Sequence, residues 1–278
     1  MTDFYFSIGA AFSGENAFLR EWIEYHKLIG VEHFFLLNND IDKTKSNNIL
    51  APYVEQGIVT NIQNTKETYS IFYAYNHLLN YTNGKTTWLA LIDLDEFIQL
   101  LHSSSIIKFM KQYDNEEIGG LGCYWAVFGS SNLVEHQKLV TESYVHRAST
   151  LAKINAKTKM ILKPERIVHT ACHWAEYKEE YFGVNELFEK LPSGRRRLKF
   201  KKKNIRCPVV IKNIRINHYN VKSKIDFLKK SKRRKVGFDK IRSKAYWKRY
   251  WQHYNRNDKF DDSMKKYVPQ LKKNLGLE

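Results

Sequence analysis

The sequence predicts an α/β protein built on a mostly parallel sheet with helices on both faces. Two observations carry that expectation. The first 115 residues alternate strand-like and helix-like segments, and three of the strand-like runs end in polar clusters. In open sheets of this kind, ligands bind beyond the carboxyl ends of the strands.

The elements follow in order. "FYFSIGAAF" (4–12) is an apolar run of strand length. Residues 16–30 place Phe18, Leu19, Trp22, Ile23, Leu28 and Ile29 at helical spacing, and Gly30 closes that helix. "VEHFFLLNN" (31–39) is the second strand. A helix over 45–57 ends at Gly57, a strand covers 58–64, and a third helix covers 70–82. The fourth strand, 86–98, carries "WLALIDLDEFI". Residues 104–113 form a helix with serine at its start as a cap. Residues 119–218 are richer in strands. Residues 223–278 are helical and basic, with Phe227, Phe238, Tyr246, Trp247, Tyr250 and Trp251 interleaved. The expected organisation is one catalytic-type domain over 1–222 and a basic, aromatic-rich helical extension over 223–278 that packs on it or continues it.

Composition sets bounds. At 278 residues and 43% apolar content the chain can bury a sizeable core. It has no run of ~18 apolar residues for a membrane-spanning helix. Its first residues lack the basic start and apolar stretch of a signal peptide. Cys123, Cys172 and Cys207 fit neither a disulfide framework nor a Cys-x-x-Cys metal site, which favours a reducing, cytoplasmic compartment. The net charge of +17 is lopsided. Residues 195–278 hold 29 Lys and Arg against 6 Asp and Glu, leaving 17 basic and 23 acidic residues in 1–194. Such a segment suits an anionic partner: a membrane surface, an acidic glycan or nucleic acid.

Asp93-Leu94-Asp95-Glu96 ends an apolar strand with three acids in four positions. Crowded carboxylates repel and resist desolvation, so a cation is the usual reason to keep them. On an extended segment Asp93 and Asp95 share a face and Leu94 points to the core. Hard oxygen ligands suit Mg²⁺ or Mn²⁺ bridging to substrate phosphates.

Here the residues carry a resemblance. The blocks "GENAFLREWIEYHKLIGVEHFFLLNN", "ILAPYVEQGIV", "AYNHLL", "WLALIDLDEFI", "YWAVFGSSN", "KMILKP", "CHW" and "INHY", spread over about Ile8 to Pro269, resemble glycosyltransferase family 92 and its family-2-like bacterial and viral relatives. The resemblance implies a GT-A-type, Rossmann-like sheet and a metal-dependent transferase. Its donor would be a nucleotide sugar, expected to be UDP-linked, and its acceptor a hydroxyl of a glycan or lipid-linked glycan. It implies Asp93, Asp95 and His218 as the metal set, with Asp93 also near the ribose; the imidazole suits Mn²⁺ better than Mg²⁺. Glu15, Asn38 and Asn39 would contact the nucleoside, and Lys159 would pair with the diphosphate. The family's first loop usually reads Lys-Asn-Glu, and Ser13-Gly14-Glu15 stands in its place. Trp22 and His26 match the motif but read as packing residues.

The resemblance also implies an inverting displacement, which needs a general base. Candidates are His173, Glu142, Glu165 or an aspartate of the C-terminal part. His173 and Trp174 match a His-aromatic pair at the sugar pocket. Trp125, Ser130 and Ser131 read as the acceptor side. The basic tail would hold the enzyme peripherally against an anionic membrane surface or acidic glycan. Three other readings compete, of which an inactive, purely scaffolding relative is argued against by the intact Asp93, Asp95 and His218. A nucleic-acid binder would use the basic, aromatic C-terminal region, but no known nucleic-acid-binding motif accompanies it. A phosphotransferase would place its Asp-x-Asp at the first strand, followed by Thr or Val, not at the fourth before Glu96-Phe97.

Overall fold

A computed structural model describes residues 2–64, 70–194, 209–232 and 242–277. Phe238, Cys207 and the basic stretches 195–208 and 233–241 lie outside the described residues.

The front of the chain alternates as expected: β1 (Phe4–Phe12), α1 (Asn16–Leu28), β2 (His33–Asn38), α2 (Thr44–Glu55), β3 (Val59–Gln63), α3 (Ile71–Thr82) and β4 (Thr86–Leu91). β1 pairs in parallel with β2 and β4, and β2 with β3. Why both faces are covered is visible along β2. Phe34 and Leu36 enter a core with Leu19, Trp22 and Ile23 of α1, whereas Phe35 and Leu37 enter a second core with Ala74, Tyr75 and Leu78 of α3. Alternate residues feed opposite layers, so the strand reads as one continuous apolar run. Gly30 (φ 95°) and Gly57 (φ 71°) follow α1 and α2 in the left-handed conformation that ends a helix.

The fourth strand corrects the sequence reading. It is not continuous over 86–98. β4 stops at Leu91, Leu94 and Asp95 form a turn, and β5 (Glu96–Leu100) starts afresh. The Glu96 N–H donates to Asp93 O at 3.0 Å, closing the turn. Leu94 does point to the core, at 2% exposure. The two aspartates are therefore held by a tight turn, not by strand alternation.

After α4 (Ile106–Met110), capped by Ser105, the sheet continues with β6 (Ile118–Val127). α5 (Val140–Ser143) and β7 (His146–Arg147) precede β8 (Thr158–Leu162), which fits antiparallel between β4 and β6. β9 (Ile167–Ala171) and β10 (Trp174–Tyr177) make a hairpin beside α3. β11 (Phe182–Val184) and β12 (Lys190–Leu191) extend the sheet beyond β6. β13 (Ile214–His218) lies parallel to β6 and antiparallel to β5, which brings the end of a strand 120 residues later to the acid turn.

The C-terminal region holds α6 (Lys224–Ser231), α7 (Lys244–Tyr254), β14 (Lys259–Phe260) and α8 (Val268–Leu275). β14 pairs with β7, and α8 packs on α1 with Leu271 fully buried in the core. Ser263 accepts from Gln99 of β5 at 2.8 Å, and Asp261 binds Arg147 and Arg215 at 2.6 and 2.9 Å. None of the described helices is long and apolar enough to cross a membrane.

Candidate active site

The loops after β1, β2 and β4 meet at one sheet edge because these strands are parallel neighbours. Asp40 ties the first two together. Its carboxylate accepts from Gly14 N–H at 2.6 Å and from Asn16 Nδ2 at 3.3 Å. Asn38, expected at the nucleoside, is instead fully buried; it donates to Ser46 at 2.9 Å and accepts from Asp40 N–H at 3.0 Å. Asn39 accepts from Asn64 at 2.7 Å. Both asparagines are engaged in shaping the loop. Glu15 faces Lys222, with Nζ 3.7 Å away.

The acid turn sits between two lysines. Asp93 accepts from Tyr75 OH at 2.8 Å and from Lys159 Nζ at 2.7 Å. Lys159 also lies 3.0 Å from Glu96 and donates to Tyr75 OH at 2.7 Å. It is 1% exposed, so the residue expected to meet a diphosphate is an internal counter-ion of Asp93 and Glu96. Asp95 accepts from Lys230 of α6 at 2.9 Å, and its other oxygen lies 3.4 Å from His218 Nε2. Asn220 Nδ2 stands 3.1 Å from the same His218 nitrogen.

The charges follow from this geometry. Burial works to raise the Asp93 and Asp95 carboxyls, but the cations prevail and hold both below the usual range, Lys159 for Asp93 and Lys230 with His218 for Asp95. Burial dominates at Glu96, whose pKa is pushed up to about 8. Burial opposes the charge on Lys159, yet Asp93 and Glu96 keep it raised well above the usual lysine range. His218 is lowered, first by burial.

Trp22 and His26 reach this turn from behind. Trp22 Nε1 donates to Glu96 O at 2.8 Å, and His26 Nε2 accepts from Ile98 N–H at 3.2 Å. Both clamp β5 against α1, a packing role that fixes where the acids stand.

The remaining candidates divide. Trp125 is buried against His218 (centroids 4.2 Å) and His173 (5.1 Å), so its ring faces are taken up within the site wall. His173 Nδ1 donates to Thr158 O at 2.9 Å; burial, with Lys159 nearby, pushes its pKa down to about 3, which makes it a weak proton acceptor at neutral pH. Trp174 is buried against His169. The Ser131 hydroxyl accepts from Val145 and His146 N–H at 2.8 and 3.0 Å, and Ser130 Oγ accepts from Asn132 N–H at 3.2 Å, so both stabilise their loop. Glu142 pairs with Lys272 of α8 at 2.6 Å and has no described contact with the acid turn. Glu165 is exposed, with Arg166 at 3.6 Å. Sequence reasoning missed Lys230, Tyr75 and Asn220. Lys230 stands 135 positions from Asp95, and one lysine in a basic helix carries no local signal.

Comparison with known proteins decides the family. The profile of glycosyltransferase family 92 matches residues 3–274. The chain belongs to that family. A glycosyltransferase family 92 protein of Ricinus communis is 28% identical over 164 residues, spanning 56% of this chain and 28% of that protein. The chain thus aligns with under a third of that relative's length. Among solved structures it is similar to S. aureus TarS 1–349 (TM-score 0.37, 13% identity, 58% of this chain and 47% of that one). It is similar to the same TarS fragment in complex with UDP, at TM-score 0.36.

Proposed function

We propose that this family-92 protein transfers a hexosyl group from a nucleotide sugar, UDP-linked, to a hydroxyl of a glycan or lipid-linked glycan, with inversion. One observation carries the reading. Asp95 and His218, far apart in sequence, face each other at 3.4 Å beside Asp93 and beyond the carboxyl end of β4.

The reading implies a divalent metal. Among the described residues no group of three His, Cys, Asp or Glu is disposed to hold an ion. Asp95 and His218 supply two ligands. That number fits Mg²⁺ or Mn²⁺, which take one or two side chains and fill their shell with water and substrate phosphate oxygens. When bound, such an ion offsets negative charge on a departing phosphate. Asp93 stands beside the pair with a third of its side chain exposed. Lys159 and Tyr75, one on each carboxylate oxygen, leave it little freedom to turn. Lys230 neutralises Asp95 when no other cation does.

The test is Mn²⁺-dependent release of nucleoside diphosphate from a panel of sugar nucleotides, with wild type beside Asp95→Ala. Slow hydrolysis of one donor, lost with EDTA and in the variant, is the expected result and names the donor. No release from any donor, with no metal-dependent nucleotide binding, would sink the proposal.

A further inference from the structure

We propose that the Tyr246–Tyr250–Tyr254 face of α7 is a binding subsite for an acidic oligosaccharide, the extension of the acceptor beyond its reacting sugar. This rests on the function proposed above.

The helix is unusual. Five of its 11 residues are aromatic, yet none is fully buried. An aromatic-rich helix ordinarily turns those rings into a core. Here only one side does so. Trp247 and Trp251 pack on Phe227 at 5.6 and 4.8 Å. The tyrosines, at i, i+4 and i+8, form a ladder with centroids 5.8 and 4.5 Å apart, backed by Trp247 against Tyr246 and Tyr250 (both 5.3 Å) and by Phe227 against Tyr250 (6.2 Å).

That ladder has a direction. Tyr254, at its inner end, lies 6.5 Å from the His218 ring and accepts from Lys157 at 3.0 Å. Lys157 in turn sits over Trp125. Tyr250 OH donates to Asn220, the residue that touches His218 and Lys230. Tyr246, 37% exposed, is the outer end. The ladder therefore runs from the proposed reaction centre outward. Beside it is a concavity of about 360 Å³ lined by Ser243, Tyr246, Arg249, Tyr250, His253 and Tyr254.

The chemistry selects the occupant. Aromatic faces carry partial negative charge and pair with the weakly positive C–H faces of sugar rings. Arg249 lines the concavity, and Arg242 lies 4.4 Å from the Tyr246 ring centroid. Arginines beside stacking rings favour carboxylate or sulfate substituents. Continuity with His218 favours a saccharide over a nucleic-acid strand, which would use the same rings and cations.

The experiment titrates the protein with a hexamer of galacturonic acid, following its tryptophan fluorescence, to which Trp247 and Trp251 beside the ladder contribute, with maltohexaose and oligo(dT) in parallel. The acidic hexamer should bind more tightly than maltohexaose. Tyr246→Ala should weaken it about tenfold, and Tyr246→Phe, which keeps the ring, should restore it. Any of three results would overturn the proposal: no binding of the acidic hexamer, equal binding by Tyr246→Ala, or preference for oligo(dT). A parallel loss of UDP affinity in Tyr246→Ala would also overturn it, by putting the ladder at the donor. The titration needs no turnover. Hexamer binding without nucleotide release would break the proposed function and leave the subsite standing; nucleotide release with no hexamer binding would do the reverse.

Discussion

Replacing Lys159 with methionine keeps most of the stem and removes the ammonium. In the native protein that ammonium lies 2.7 Å from Asp93, 3.0 Å from Glu96 and 2.7 Å from Tyr75 OH, at 1% exposure. Removing one partner of a buried ion pair costs about 3–5 kcal/mol, because the other charge is left without compensation. Glu96 softens the loss. Burial already pushes its pKa to about 8, with Lys159 pulling downward, so without the lysine it stays protonated at neutral pH. Asp93 keeps one hydrogen bond, from Tyr75. The cost should therefore fall near the lower end, about 3 kcal/mol, or ~6–12 °C in Tm for a chain of this size. Circular dichroism during heating and in urea would measure it. The double variant Lys159→Met with Glu96→Gln should recover part of the loss, since it no longer requires a buried carboxyl to take up a proton. A single variant within about 1 kcal/mol of wild type would refute the assignment of Lys159 as an internal counter-ion.

Three further outcomes are expected. Burial pushes the His26 pKa down to about 3, so the ring is neutral when folded and its stabilisation is complete above the unfolded value near 6.5. As pH falls the unfolded chain takes the proton first, and urea unfolding should find the wild type's advantage over His26→Gln smaller by about 2 kcal/mol at pH 5 than at pH 7. Although burial opposes it, Arg215 and the hydrogen bonds from Ser263 and Arg147 hold Asp261 down to about 2, so its contribution is present above pH 4 and fades toward pH 2. Asp261→Asn should remove about 2 kcal/mol at pH 7 and less than about 0.5 kcal/mol at pH 2 in the same assay. The Glu186 carboxylate accepts from the backbone N–H groups of Lys212, Asn213 and Ile214 at 2.5, 2.6 and 2.9 Å, where the chain enters β13. Glu186→Ala should destabilise by about 2–3 kcal/mol and speed hydrogen exchange along β13.

The legible part of the fold was the part governed by local pattern. Phe34 to Leu37 announce a strand covered on both faces, and the spacing from Phe18 to Ile29 announces the helix that covers one of them. Gly30 and Gly57 marked helix ends because only their backbones take the required conformation cheaply. The turn at Asp93–Glu96 was hidden because its apolar flanks, Trp88–Ile92 and Phe97–Ile98, read as one strand. Asp93 and Asp95 stood out because crowded acids are rare at the end of such a run. Their counter-charges did not. Lys159 looks like any surface lysine in sequence, and only the antiparallel insertion of β8 between β4 and β6 turns it inward. The same holds for Asn38: a polar residue at a strand end suggests a ligand contact, and burial beneath α2 converts it into a brace.

The contacts of Asp261, Ser263 and Leu271 have a consequence in time. Asp261 and Ser263 grip Arg215 and Gln99, on the two strands that carry His218 and Glu96, and Leu271 seals the core behind them. A ribosome delivers these residues after everything they hold in place. A growing chain can assemble β1 to β4 early, and Trp22 and His26 can already clamp β5 to α1, yet the ties that Asp261 and Ser263 add to β13 and β5 form only once those later residues have emerged.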